Sequence, residues 1–415
     1  MGEAMTENIR RYISELVQIN SEQTAAKDGA PFGTGARKAL DWFLNLAHSF
    51  GFETINYDGY AGEVIFGDGE EFAVLAHLDV VPAGDGWTHD PFGGEIDETN
   101  RRIWGRGTMD DKGPAIISLC AMKALKDEGF TPKRKIKLIV GCNEESGWGC
   151  IDYYKKHAHM PEEGFTPDAD FPVIYAEKGI LHLKLKYSVK GNFHGLKGGT
   201  RVNMVCDYCS VSAPLNEEKL RKLNLAYENG AIVSRGKSAH GSTPDEGINA
   251  IPPVLSYLGL ENMREQLFET QFGLAELQDI TGRLTFSPNV IEQVGENIFV
   301  TCDIRYPATY KIKDILGAIT VPYEIISAQD PIYNDKECKL ITTLCGVYNE
   351  VTGKNLQPLA IGGGTYARAI KCGAGFGPEE SGEEVTIHQA DEYITFEKIE
   401  TCFKAYKLAI ERLTK

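Results

Sequence analysis

Basic residues are scarce in this 415-residue chain: 43 Lys and Arg stand against 59 Asp and Glu, a formal net charge of −16. Nucleic acid and anionic lipid are both bound through clustered Lys and Arg, so no nucleic-acid or membrane partner is expected. No apolar run approaches the ~18 residues of a membrane-spanning helix. The first fifteen residues mix acids and bases without an apolar stretch, so no secretory leader is expected. An N-x-Ser/Thr sequon is lacking, as are low-complexity tracts and long flexible linkers. The ten cysteines are scattered, several (Cys120, Cys142, Cys302) inside apparent core segments. That distribution suits reduced thiols in a cytoplasmic protein better than a disulfide scaffold. Met1-Gly2-Glu3-Ala4-Met5-Thr6 fits the loose myristoylation pattern, but no polybasic stretch supplies a second membrane signal.

What is present is the mix of a soluble globular protein, 42% hydrophobic and 25% charged, long enough at roughly 150 residues per domain for two or three folding units. Up to about residue 180, helical and strand patterns alternate. Helices are expected at Asn8 to Gln18, at Ala36 to Phe50 (closed by Gly51) and from Gly113-Pro114 to Asp127. Strands are expected at Phe72–His77, Lys135–Val140 and Phe171–Tyr175. From about Leu181 the texture changes to alternating strands, such as Leu181 onward and Asn297–Arg305, with helical stretches at Asn249 to Leu260 and Met263 to Phe272. At Pro331 the first texture resumes, with helices near Lys339–Thr352 and Thr395–Leu413. The expected architecture is α/β: a catalytic domain with a mostly parallel mixed sheet and flanking helices (1–180 and 331–415), interrupted by an inserted α+β lid domain (181–330).

Chemistry-bearing residues follow the strands, where an α/β sheet places its ligands. His77-Leu-Asp79 puts two side chains on one side of an extended segment, the pairing in which a carboxylate orients a metal-binding imidazole. A purely structural His–Asp pair is the plain alternative. Asp110 and Asp111 precede a helix and are either capping groups or metal ligands, one of them able to bridge two ions. Glu144 and Glu145 diverge on extended backbone, so one can bind metal while the other moves a proton; a solvated acidic loop is the bland reading. Asp168 precedes a strand and His388 lies near the C-terminus. Counting His77, Asp110, Glu145, Asp168 and His388 gives five candidate ligands. If Asp110 bridges, each of two metals has three protein ligands and an open position, the catalytic pattern for zinc.

His77-Leu-Asp79-Val-Val-Pro82, Gly107-Thr-Met-Asp110-Asp-Lys-Gly-Pro114, Asn143-Glu-Glu-Ser-Gly147, Pro167-Asp-Ala169 and the late His388 together resemble the M20 family of dinuclear metallopeptidases. Trp87-x-x-Asp90-Pro-Phe-Gly, Glu144-Glu-Ser-Gly-Trp148, Ser238-Ala-His240 and Ile361-Gly-Gly-Gly-Thr-Tyr366 resemble its PepV-type dipeptidase branch. The motifs run in order from about Pro31 to the C-terminus. The resemblance implies that Asp79 orients His77, that Glu144 is the general base, and that a cis peptide bond joins Asp110 to Asp111. It also implies that His240 of the lid helps hold the oxyanion, and that Asn203 and Arg305 face substrate. Arg368 is a further candidate for the substrate carboxylate, although Arg305 could simply pair with Asp303 and Gly362 to Gly364 could be a bare turn. The stretch from Leu181 to Gly230, ahead of Ser238-Ala-His240, resembles the extra half-lid of the dipeptidase branch.

The expected function is therefore hydrolysis of free dipeptides by metal-activated water, with two divalent ions per chain, zinc first and manganese or cobalt as alternatives. The partner is a small peptide substrate, its ammonium received by a carboxylate for which Asp111 is a candidate, and the protein is a monomer or homodimer. An N-acyl-amino-acid amidohydrolase is the runner-up and a non-catalytic metal-binding protein the third reading.

Overall fold

The computed structural model describes residues 3–415; Met1 and Gly2, which open the myristoylation-like pattern, lie outside the described residues. The chain divides into two compact units. The first comprises residues up to Tyr175 with Asn334–Leu359 and Thr365–Lys415. The second comprises Ala176–Tyr333 with Ala360–Gly364. No helix among the described residues is long and apolar enough to cross a membrane.

In the first unit the sheet has a parallel centre and antiparallel margins. Its order runs Glu53–Tyr57, Ala61–Phe66, Arg134–Gly141, Glu70–His77, Glu163–Thr166, Cys372–Gly375. Strands Arg134–Gly141, Glu70–His77, Glu163–Thr166 and Cys372–Gly375 are parallel neighbours, while Ala61–Phe66 joins them antiparallel. Phe72 through His77 are buried without alternation, so both faces of the central strand are covered. Helix Lys112–Asp127 packs on it, and Phe396–Thr414 packs on that helix and on Lys339–Thr352. Helix Thr34–Ser49 buries Ala36, Ala39, Leu40, Phe43, Leu44 and Ala47, an apolar stripe at helical spacing. It ends where Gly51, at φ 76°, donates to the His48 carbonyl at 2.8 Å.

Two local expectations need correction. The hairpin Glu53–Tyr57/Ala61–Phe66 was not anticipated, although Asp58 and Gly59, both at positive φ, supply its turn. The expected strand Phe171–Tyr175 is two short ones, Ala169–Phe171 and Ile174–Glu177. Pro172 lies between them and has no N–H to give a ladder.

The second unit holds an eight-stranded sheet. Along Gly179–Ser188, Leu181, Leu183 and Leu185 are buried and pack with Val300, Cys302, Ile304, Ile251, Val254 and Leu255. The stretch from Leu181 to Gly230 forms no block of its own. Gly179–Ser188 lies near one edge of the sheet and Ala226–Glu228 at the other. All ten cysteines are unpaired, including Cys206 and Cys209, a Cys-x-x-Cys spacing that is buried in this unit.

One close approach in the first unit offers a stability test. Gly164 pairs with Ala73 across two central parallel strands, and a Cβ on it would collide with the Ala73 carbonyl oxygen and side chain. Overpacking at a site that cannot yield costs about 1–3 kcal/mol. Gly164→Ala is therefore expected to lower the melting temperature by several degrees, at roughly 2–4 °C per kcal/mol. An unchanged calorimetric transition would show that the strands separate freely here.

Candidate active site

Three neighbouring parallel strands end on the same side of the sheet. His77 is the last residue of Glu70–His77, Glu144 and Glu145 follow Arg134–Gly141, and Asp168 follows Glu163–Thr166. Parallel pairing brings their carboxyl ends together, and that is where α/β sheets bind ligands. Asp110 lies just before helix Lys112–Asp127, and His388 sits in a loop at φ 59°. The bond between Asp110 and Asp111 is cis.

Asp110 is the hub. Its Oδ1 lies 3.0 Å from His77 Nε2 and its Oδ2 lies 2.8 Å from His388 Nε2. Asp168 Oδ2 stands 3.7 Å from His77 Nε2, and Glu145 Oε1 stands 3.2 Å from His388 Nε2. Each imidazole thus faces one oxygen of the same carboxylate and a second acid of its own. His77 is fully buried and Asp110 nearly so.

Asp79 makes different bonds from those expected. The His77 Nδ1 partner, at 3.0 Å, is the Asp79 backbone carbonyl; the nearer carboxylate oxygen is 3.6 Å away. The Asp79 carboxylate instead accepts the backbone N–H of Glu144 at 3.0 Å and of Glu145 at 3.1 Å. One residue therefore orients the imidazole through its main chain and the two glutamates through its side chain. Burial pushes the Asp79 carboxyl up to about 6 against the opposing pull of His77. Asp111 also departs from its expected roles. It makes no side-chain cap bond; its Oδ2 accepts the His77 N–H at 3.0 Å and the residue is fully buried. Its other oxygen, Oδ1, is buried without a hydrogen-bond partner.

Glu144 is partly buried, and its Oε1 accepts the Trp148 indole N–H at 3.0 Å. Trp148, at φ 61°, packs edge-on against Tyr366, whose ring also meets that of His77. Burial pushes the Glu144 carboxyl up to about 8. Neither Trp148 nor Tyr366 was assigned a contact from sequence. Each stood out only within a motif, and only folding brings the two rings together.

The donor set suits a divalent cation. Among the described residues, ligand atoms of His77, Asp110 and Glu145 all lie within 4.8 Å of one another. His77 Nε2 is buried and has no hydrogen-bond partner. Two donors ~2.0–2.1 Å from one tetrahedral ion stand roughly 3.3 Å apart, and the separations above, 2.8 to 3.7 Å, bracket that value. Charge argues the same way. Burial alone would raise the Asp110 carboxyl, yet the two imidazoles hold it far below the usual range. Burial and the Asp110 charge push Asp168 well above it. Such crowding of acids is what a cation relieves.

A family model for peptidase family M20/M25/M40 matches residues 73–412. The chain belongs to peptidase family M20/M25/M40. Family M20 members are metal-dependent hydrolases, and the cluster described above lies within the matched span. A putative dipeptidase, YtjP, of Bacillus subtilis (strain 168) is 35% identical over 454 aligned positions, covering 99% of this chain and 98% of the relative. A β-Ala-Xaa dipeptidase of Lactobacillus delbrueckii subsp. lactis is 33% identical, covering 100% of this chain and 98% of the relative. Among solved structures, the dipeptidase Dug1p from Saccharomyces cerevisiae aligns with a TM-score of 0.62 at 13% identity, covering 99% of this chain and 97% of that one. The M20 fold, a catalytic domain with an inserted α+β domain, is thus the fold of this chain.

Within the second unit, three predicted residues lie near one another. The Gly241 N–H donates to the Asn203 carbonyl at 2.7 Å, next to His240, whose Nδ1 is 2.6 Å from Ser242 Oγ. A Cβ on Gly241 would meet the Asp303 carboxylate at 2.5 Å. That carboxylate accepts from Arg305 Nε at 2.7 Å and Nη2 at 2.9 Å. The pairing with Asp303 raised from sequence as the plain reading of Arg305 is therefore present, and it fixes the guanidinium plane. Arg368 belongs to the first unit, half-buried on the short helix Tyr366–Ala369.

Proposed function

We propose that this chain is a dinuclear metallodipeptidase of the PepV-type branch, cleaving free dipeptides with Glu144 as general base. The observation that carries the reading is Asp110, one carboxylate with an imidazole on each oxygen and a partly buried glutamate nearby. His77, Asp168 and Asp110 would hold one ion, and Glu145, His388 and Asp110 the other, with zinc suiting the imidazole and carboxylate mixture. When bound, such ions supply Lewis-acid activation of water and of the scissile carbonyl.

The protein's own groups do the rest. Asp79 holds the Glu144–Glu145 backbone, so that one carboxylate is free for proton transfer while its neighbour is a ligand. Glu144 takes the proton of the attacking water and returns it to the leaving amine. Trp148 holds the Glu144 carboxylate through one oxygen and leaves the other for that exchange. Asn203, His240 and Arg305 of the second unit, and Arg368 of the first, are proposed as substrate-binding groups. Support for them comes from the motifs they stand in and, for the first three, from their proximity within their unit. The dipeptidase names of full-length relatives support this substrate class over N-acyl amino acids.

Length selection tests the reading. An arginine holding the terminal carboxylate at a set distance from the scissile carbonyl acts as a ruler. One added residue moves that carboxylate by up to ~3.6 Å, which breaks a bidentate contact. The expected result is high kcat/KM for Ala-Ala and low values for Ala-Ala-Ala and N-acetyl-Ala at equal metal loading. A better rate on N-acetyl-Ala would replace the dipeptidase by an acyl-amino-acid hydrolase. Equal rates on di- and tripeptide would discard the ruler.

A further inference from the structure

The segment that carries Asp110 has little regular structure to hold it. Between strand Arg102–Trp104 and helix Lys112–Asp127 the chain runs through turns and bends. A single buried carboxylate takes over the task. Glu392 Oε1 accepts the backbone N–H of Gly107 at 3.0 Å, of Met109 at 2.9 Å and of Asp110 itself at 3.3 Å. Its Oε2 accepts from Arg106 Nη1 at 2.7 Å, in an ion pair whose side chains are 2% and 0% exposed. The Glu392 carbonyl closes the loop's other end, accepting the Gly105 N–H at 2.8 Å. Arg106 in turn lies over the Trp87 ring, 5.2 Å from its centroid. Glu392 stands four residues after His388, on the short connection into strand Tyr393–Thr395.

We infer that Glu392, paired with Arg106, is a positioning residue that sets Asp110 against His388 and so builds one half of the metal centre. The inference rests on the dinuclear reading above. The two halves are anchored differently. His77 ends a strand laddered on both sides, and its N–H is also held by Asp111. Asp168 stands two residues beyond the end of a laddered strand. His388 and Asp110 both sit in loops, and Glu392 is bonded to the backbone of one and close in sequence to the other. Removing its carboxylate frees three buried N–H groups and strands the Arg106 charge, so the direction of the Asp110 carboxylate is no longer set. Outer partners of metal ligands are worth about 10- to 100-fold in metal affinity. The loss falls hardest on the ion shared by Asp110, Glu145 and His388, whose histidine also sits on the Glu392 segment, and less on the ion that keeps the strand-anchored His77 and Asp168.

The experiment is a calorimetric Zn2+ titration of metal-stripped protein, wild type against Glu392→Ala and Glu392→Asp, with melting temperature and circular dichroism on the same samples. Aspartate keeps the charge but is too short to reach three N–H groups and Arg106 at once. Both variants are expected to lose about 10- to 100-fold affinity for the ion shared by Asp110, Glu145 and His388, and clearly less for the ion that keeps His77 and Asp168. Unequal weakening of the two ions is a readout that general loosening of the fold does not give. If Glu392→Ala does not fold, Glu392→Asp decides. Two ions bound with wild-type affinity in a folded variant would overturn the inference alone, as would equal weakening of both. A wild type that binds a single ion is a different failure: it removes the dinuclear reading and this inference with it.

Discussion

Glu144→Gln is expected to keep its metal and lose turnover, with kcat lower by on the order of 10²- to 10⁴-fold, the usual contribution of a positioned acid–base group. Glu145→Gln is expected to lose activity by losing metal. The difference follows from the backbone geometry. Asp79 holds both N–H groups at nearly equal distances, 3.0 and 3.1 Å, in a turn rather than on the extended backbone expected from sequence, and the two side chains take different partners. The Glu145 carboxylate lies 3.2 Å from His388, while that of Glu144 accepts from Trp148. Glutamine at position 144 keeps an oxygen for the indole N–H but offers no base. Metal content by mass spectrometry, read alongside kcat on the same preparations, separates the two variants. The opposite pattern, metal loss at 144 and a metal-replete dead enzyme at 145, would move the assignment by one residue.

Asp110→Ala is expected to abolish binding of both ions, whereas Asp168→Ala and His388→Ala each weaken only one. Among the described residues Asp110 alone faces both imidazoles, at 3.0 and 2.8 Å. Without it each ion keeps two protein ligands, fewer than the three that catalytic zinc sites hold. Activity of Asp110→Ala is expected to fall by at least about 10³-fold and to stay low when Zn2+ or Mn2+ is added. The single-site variants should regain activity as metal is raised. An Asp110→Ala protein that still binds two ions would show that the carboxylate does not bridge.

Much of the candidate site was readable from sequence because ligand-bearing loops follow buried strands. A run such as Phe72 to His77 marks a strand by its apolar continuity, and the polar residues after it are then at a strand end. The hairpin at Glu53 to Phe66 was missed because its strands lie toward the sheet margin, where Glu53–Tyr57 shows no continuous apolar run. Glu392 was missed for a related reason. In Asp391-Glu392 a solvated acid and a buried anchor look alike in sequence. Asp391 accepts from Thr88 and His89 near the surface, while Glu392 is fully buried among the Gly107–Asp110 amides.

The sequence by itself determined the central strands and main helices of the first unit, which acids and histidines follow those strands, and the family to which the motifs belong. Those features depend on local periodicity and on spacing within a few residues. The tertiary structure decided the order of strands Arg134–Gly141, Glu70–His77 and Glu163–Thr166, and so which loops meet. It also decided that the Asp79 carboxylate grips Glu144 and Glu145 while only its backbone carbonyl holds the His77 ring, that Asp111 is buried under His77, and that Glu392 holds the loop of Asp110. These carboxylate pairings join residues from 34 to 285 positions apart. Distance along the chain carries no record of them, because a hydrogen bond is satisfied by whichever partner packing brings within about 3 Å.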